Sequence, residues 1–177
     1  MATGLLVTLF IVFILFSALP FVPGAEIGFG LLMALGGGGA AIVYSGMIIA
    51  LTMAFVMGRF VPARWLVSLF AALGLDRARK LVETPREMSM DERARFISDN
   101  APARWVPFLL RHRHVALAVL LNTPGNVMLG GGGGIAFAAG ASRIFSTGGF
   151  VLTILLAVAP LPLAFLLFGS GGLVVRA

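Results

Sequence analysis

Glu26 is the one acidic residue outside a short central stretch of the chain, and its setting makes it a candidate for chemistry. It follows Leu19-Pro20-Phe21-Val22-Pro23-Gly24-Ala25, and residues 27–58 after it carry no charge. A carboxylate facing hydrocarbon costs at least ~2.5–3.5 kcal/mol, so it has to be held by protein or water. Pro20, Pro23 and Gly24 prevent a helix from running unbroken through this point. An apolar segment interrupted at an acid is a pointer to a transport site, where the carboxyl could bind and release a proton. The plainer alternative is that Glu26 caps the half-helix that follows, which is favourable by ~0.3–1 kcal/mol.

Arg143 is the only charge between His114 and Arg176. It either snorkels to headgroups at a membrane edge or faces inward, binding a lipid phosphate or pairing with Glu26. Asn122 and Asn126 flank Pro124 and Gly125 at a second interruption and would add neutral hydrogen bonds to the same site. Arg59 closes the long uncharged run. Other chemistries find little to work with. With no cysteine there is neither a disulfide nor a thiolate metal site. His112 and His114 are two residues apart and point apart on a helix, so they read as interfacial polar residues. The glycine runs lack the Gly-Lys-Ser/Thr of a phosphate loop and read as packing sites or flexible tips. No nucleophile-base or paired-carboxylate arrangement occurs in the apolar segments, so the expectation is a non-enzyme without metal or cofactor.

The elements that must position these residues are membrane helices. Of 177 residues 59% are apolar and 11% charged, with a mean hydropathy of +1.04, whereas soluble domains carry roughly 25% charge. The net charge of +6 is concentrated around residues 59–113, flanking apolar spans, as in cytoplasmic loops. No nucleic-acid-binding pattern accompanies it. Residues 1–4 have no basic character, so residues 5–19 read as a retained helix rather than a cleaved signal. The predicted fold is all-α integral membrane, one domain over 1–177, the expected partners being membrane lipids, a second copy or a larger membrane complex.

Two halves of similar order surround a polar insert. The first (1–61) runs helix 5–19, break 20–26, apolar stretch 27–35, Gly36–Gly39, and helix 40–58. The second (105–177) runs apolar stretch 115–121, break 122–126, glycines 130–134, residues 135–140, Arg143 and a final helix 149–168. Seven helical residues reach only ~10 Å, about half a bilayer, so residues 115–121 must turn back in a re-entrant loop. Between the halves, 62–75 reads as an amphipathic interfacial helix within the segment 62–104. Thr84-Pro85-Arg86-Glu87 and Ser89-Met90-Asp91-Glu92 there have the shape of capping boxes.

Pro20-Phe21-Val22-Pro23-Gly24-Ala25-Glu26, Gly58-Arg59, and Thr123-Pro124-Gly125-Asn126 with Gly140-Ala141-Ser142-Arg143-Ile144-Phe145 together resemble the DedA family, also called the SNARE-associated or VTT-domain family. The likeness covers nearly the whole chain. It implies two re-entrant helices entering from opposite faces and meeting at the bilayer centre. It also implies movement of lipids between leaflets, including a polyprenyl phosphate in bacterial inner membranes, with dependence on the proton gradient. Glu26 matches the family's acid in the first re-entrant loop and Arg143 an arginine after the second. The chain departs from the pattern at Gly36–Gly39, where the family often has a second acid, and at Asn122, where it commonly has an arginine. The expected function is a lipid translocator; a non-transporting subunit of a membrane complex and a small-solute exporter are the alternatives.

Overall fold

A computed structural model describes residues 2–62 and 111–168, with positions 64, 65, 68, 89, 91, 92 and 95 between them. Every element among the described residues is helical: α1 (Ala2–Ala18), α2 (Gly24–Leu35), a 3-10 turn (Gly36–Gly39), α3 (Ala40–Phe60), α4 (Arg113–Asn122), a 3-10 turn (Asn126–Leu129), α5 (Gly131–Ser142), α6 (Thr147–Val158) and α7 (Pro160–Phe168). Two stretches are long and apolar enough to cross a membrane, Gly24–Phe60 and Thr147–Phe168.

The axis of the molecule is α3, whose 21 residues span ~31 Å. Ala50, Leu51, Ala54 and Phe55 on it are fully buried. Two helical hairpins pack along it. The first is α1–α2, turned at Pro20–Pro23, where proline rings remove backbone donors and Phe21 adopts a left-handed φ of 65°. Its arms touch directly: a Cβ on Gly24 would lie 3.0 Å from the Ser17 Cα, and one on Gly28 3.7 Å from Phe13. Gly28 also faces Val43 and Met47 of α3. Gly36, with φ 62°, ends α2 and lets the chain turn into α3, as the sequence leads one to expect. The second hairpin is α4–α5, open at the other end of α3. His114 near the start of α4 meets Phe145 beyond the end of α5, while Leu121 lies beside Gly132.

Phe-x-x-Gly occurs once on α3 and once on α5, and the two copies interlock. A Cβ on Gly58 would overlap the Phe137 carbonyl oxygen, and one on Gly140 would overlap the Phe55 carbonyl oxygen. The two helices run parallel here with their backbones in contact, which only glycine permits. Phe55 then stacks on Phe150 of α6, centroids 4.1 Å apart, joining the third layer to the core.

Several boundaries differ from the sequence reading, α1 starting at Ala2 and α2 at Gly24 among them. The arm read as 115–121 is α4, ten residues and ~15 Å, still half a span. Residues 131–134, part of a glycine run read as a packing site or flexible tip, form the first turn of α5 and are a packing site: Cβ atoms on Gly131 and Gly133 would meet carbonyl oxygens of residues 18, 19 and 22. Helix α3 runs two residues past Gly58, placing Arg59 in its last turn. The final helix is divided, since Pro160 lacks the N–H that would continue α6. Tyr44 donates to the Leu155 carbonyl at this kink, 2.8 Å away, and ties it to α3.

The amphipathic helix read at 62–75 and the capping box at Thr84 fall largely outside the described residues. The second capping box is present: Ser89 N–H donates to Glu92 Oε2 at 2.8 Å, and Glu92 N–H to Ser89 Oγ at 3.3 Å. The Ser89 hydroxyl, then its backbone N–H, with help from Arg95, hold the Glu92 carboxyl below the ordinary range. A depressed carboxyl contributes stability above its unfolded-state pKa and loses it as pH falls through the folded value. Amide protection of this turn should therefore fall on acidification below the ordinary carboxylate range. Ser89→Ala should lower the protection at neutral pH and flatten the pH dependence, as hydrogen exchange would read.

Candidate functional site

The two hairpin bends meet halfway along α3. Phe21 N–H donates to the Gly130 carbonyl at 2.7 Å, joining the bends through backbone. A Cβ on Gly131 would sit 2.6 Å from the Val22 oxygen, and one on Gly133 2.7 Å from the Ala18 and Leu19 oxygens. A Cβ on Gly132 would lie 3.3 Å from the Leu51 Cδ2, on the twelfth of the 21 residues of α3, which fixes the height of the junction. The carboxyl end of α1 thus abuts the amino end of α5, the helix ends that carry opposite partial charges.

Breaking α4 here leaves its last carbonyls without helical partners, and side chains supply donors. Asn126, buried, donates from Nδ2 to the Leu121 oxygen at 2.8 Å. Thr123 Oγ1 donates to the Val119 oxygen at 2.8 Å. Asn122 Nδ2 donates to the Ala118 oxygen and, across to α6, to the Ala157 oxygen, both at 2.9 Å. The amides singled out as hydrogen-bonding groups for a transported ligand thus have donors engaged in closing the break. That use satisfies the backbone carbonyls that the break leaves without helical partners.

Glu26 is the third residue of α2, about one turn from the bend. Its side chain is exposed, and it has no hydrogen-bond or ion-pair partner among the described residues. Gly24 and Gly28 face inward, and a residue two positions from each points the other way. Arg143 is elsewhere. Twelve residues beyond Gly131, it stands ~18 Å along α5 from the junction, so the structure does not bring it to Glu26. It closes α5 with a left-handed φ of 57°. Its Nη2 donates to the Arg59 carbonyl at 2.9 Å, while Arg59 Nη1 donates to the Phe145 carbonyl at 2.9 Å. Arg143 thus caps the last turn of α3, and Arg59 in return holds the loop that follows α5, next to where the two helices interlock at Gly58 and Gly140.

Ser17 is a group that the sequence reading missed. Only 2% exposed, it carries a hydroxyl without a hydrogen-bond partner, packed against Gly24 beside the bend. A serine in an apolar helix gives no sign of this; its proximity to the break was the available clue. Among the described residues no group of acids and histidines could hold a metal. Comparison with protein-family models, curated proteins and solved structures finds no match to this chain.

Proposed function

We propose that the chain is an integral membrane protein that moves a lipid with an anionic headgroup between leaflets, in the manner of the DedA family it resembles, and that its setting is a bacterial inner membrane. The observation that carries this reading is the Phe21–Gly130 junction, where two bends from opposite ends of α3 meet at its middle. With α3 spanning the bilayer, broken backbone stands at mid-depth, a position tolerated only against protein or a water-filled cavity. The bent arms are half-span helices, and their bends are the one part of each half that both leaflets' headgroups can approach.

Glu26 opens α2 near that level and supplies the ionisable group. Its outward face cannot rest against lipid tails without the penalty of a bare charge, so water or a passing headgroup meets it there. The unpaired Ser17 hydroxyl beside the bend is a further polar group at the same height. Charge asymmetry sets the orientation, with Arg59, Arg143 and the insert on the cytoplasmic side.

The outward exposure of Glu26 also favours a second reading, in which another subunit covers it and the protein transports nothing. Purified protein in liposomes containing fluorescent phospholipid or polyprenyl phosphate separates the two. The translocator reading expects outer-leaflet probe to become protected from a membrane-impermeant reductant faster than in empty liposomes. Equal rates for both lipids with and without protein would leave the subunit reading.

A further inference from the structure

Three arginines stand together at the end of α3 with no acid to balance them. Arg143 caps the end of α3, Arg59 bonds the loop after α5, and Arg64 lies on the chain just beyond α3. No carboxylate among the described residues pairs with any of the three; Asp91 is taken by Arg113 at 3.2 Å. Arg64 and Arg143, with Phe60 and Pro62, line an open cavity of about 540 Å³. That volume lies within the range of ligand sites, roughly 300–1,000 Å³.

We propose that this cavity binds the phosphate of a resident anionic lipid, which bridges Arg64 to Arg143 and so fastens the start of the insert to the end of α5. The inference rests on α3 being a membrane-spanning helix, and it holds whether or not the protein moves lipid. Arg143 gives one donor to the Arg59 carbonyl and keeps others of its planar fork. A second guanidinium across the cavity completes a site for a tetrahedral oxyanion, which can accept forks from two sides. The lining suits a lipid better than a free ion. Phe60, which lines the cavity, is 78% exposed, and Trp65, next to Arg64 in the chain, is 66% exposed, apolar surface of the kind that sits at a headgroup boundary. Left-handed backbone at Arg143, unusual for a non-glycine residue, holds the side chain at this end of α5.

Trp65 serves as the reporter once Trp105 is replaced by Phe. In phosphatidylcholine nanodiscs, brominated phosphatidate should quench Trp65 at a mole fraction about tenfold below that needed for brominated phosphatidylcholine. Arg64→Gln should reduce this preference about fivefold, while Arg95→Gln, the same charge change on the insert, should leave it in place. Arg143→Lys keeps the charge but loses the fork, and should also weaken the preference. Added inorganic phosphate identifies the source of the phosphate: no recovery of fluorescence assigns the site to lipid, and full recovery assigns it to the free ion. Equal quenching by both lipids, or equal losses in Arg64→Gln and Arg95→Gln, would overturn the site. Failure of the wild-type chain to enter nanodiscs would overturn it together with the membrane reading.

Discussion

Replacing Gly140 with alanine should abolish the native packing of α3 against α5. The added methyl would fall on the Phe55 carbonyl oxygen and 3.0 Å from the Arg59 nitrogen, and backbone cannot rotate away as a side chain can. Gly58→Ala would do the same at the Phe137 oxygen. The helices would have to separate, weakening the Phe55–Phe150 stack and the two arginine hydrogen bonds together. We expect a loss of ~3 kcal/mol or more, the upper end for overpacking, against a total stability of ~5–15 kcal/mol. Gly30→Ala is the control, since nothing lies within 4 Å of its Cβ position and alanine is the better helix former. Size-exclusion melting curves in detergent would read all three. A Gly140→Ala protein that melts with the wild type would mean that α3 and α5 do not meet as described.

On the translocator reading, Glu26→Gln should stop translocation while leaving expression and melting temperature close to normal. The side chain is exposed and makes no bond among the described residues, so the fold does not depend on its charge. As a first-turn helix acid it contributes at most ~1 kcal/mol through the dipole, and glutamine keeps its shape. A large loss of transport with little loss of stability would therefore mark an ionisable function. Wild-type transport by purified Glu26→Gln would reduce the residue to a helix-end charge. A fall in melting temperature only when a partner protein is present would favour the subunit reading.

Much of the positioning was legible because it is carried by residues with few conformational options. Pro20, Pro23 and Gly24 mark the first bend, Pro124 and Gly125 the second, and Gly36 the division between α2 and α3. The Ser89–Glu92 spacing likewise gave the capping box. What could not be read depends on the neighbour across the gap. Glycines 131–134 are poor helix formers by propensity, ~1 kcal/mol each, so the sequence did not show the helical turn there, and the need for glycine at 131 and 133 comes from the closeness of residues 18–22. Asn122 and Asn126 have the chemistry of a binding site, yet their amide hydrogens close the end of α4. The reciprocal Phe55/Gly58 and Phe137/Gly140 contact was available as a repeated Phe-x-x-Gly and passed over. Pro160 is sufficient to divide the last helix, but the apolar run around it concealed the kink.

The central claim is that the two bends meet at the middle of α3, and one pair of positions tests it most directly. A Cβ on Gly134 would lie 3.6 Å from the Pro20 Cβ. That separation falls within the ~3.5–4.5 Å of a disulfide, and the chain has no cysteine of its own to interfere. Pro20→Cys combined with Gly134→Cys, oxidised in native membranes, should form an intramolecular disulfide that maleimide labelling and gel mobility after proteolysis in the insert would detect. Two full-length halves held together without reductant and released by it is the result expected. Both thiols remaining free to maleimide after oxidation, in protein that melts like the wild type, would contradict the junction.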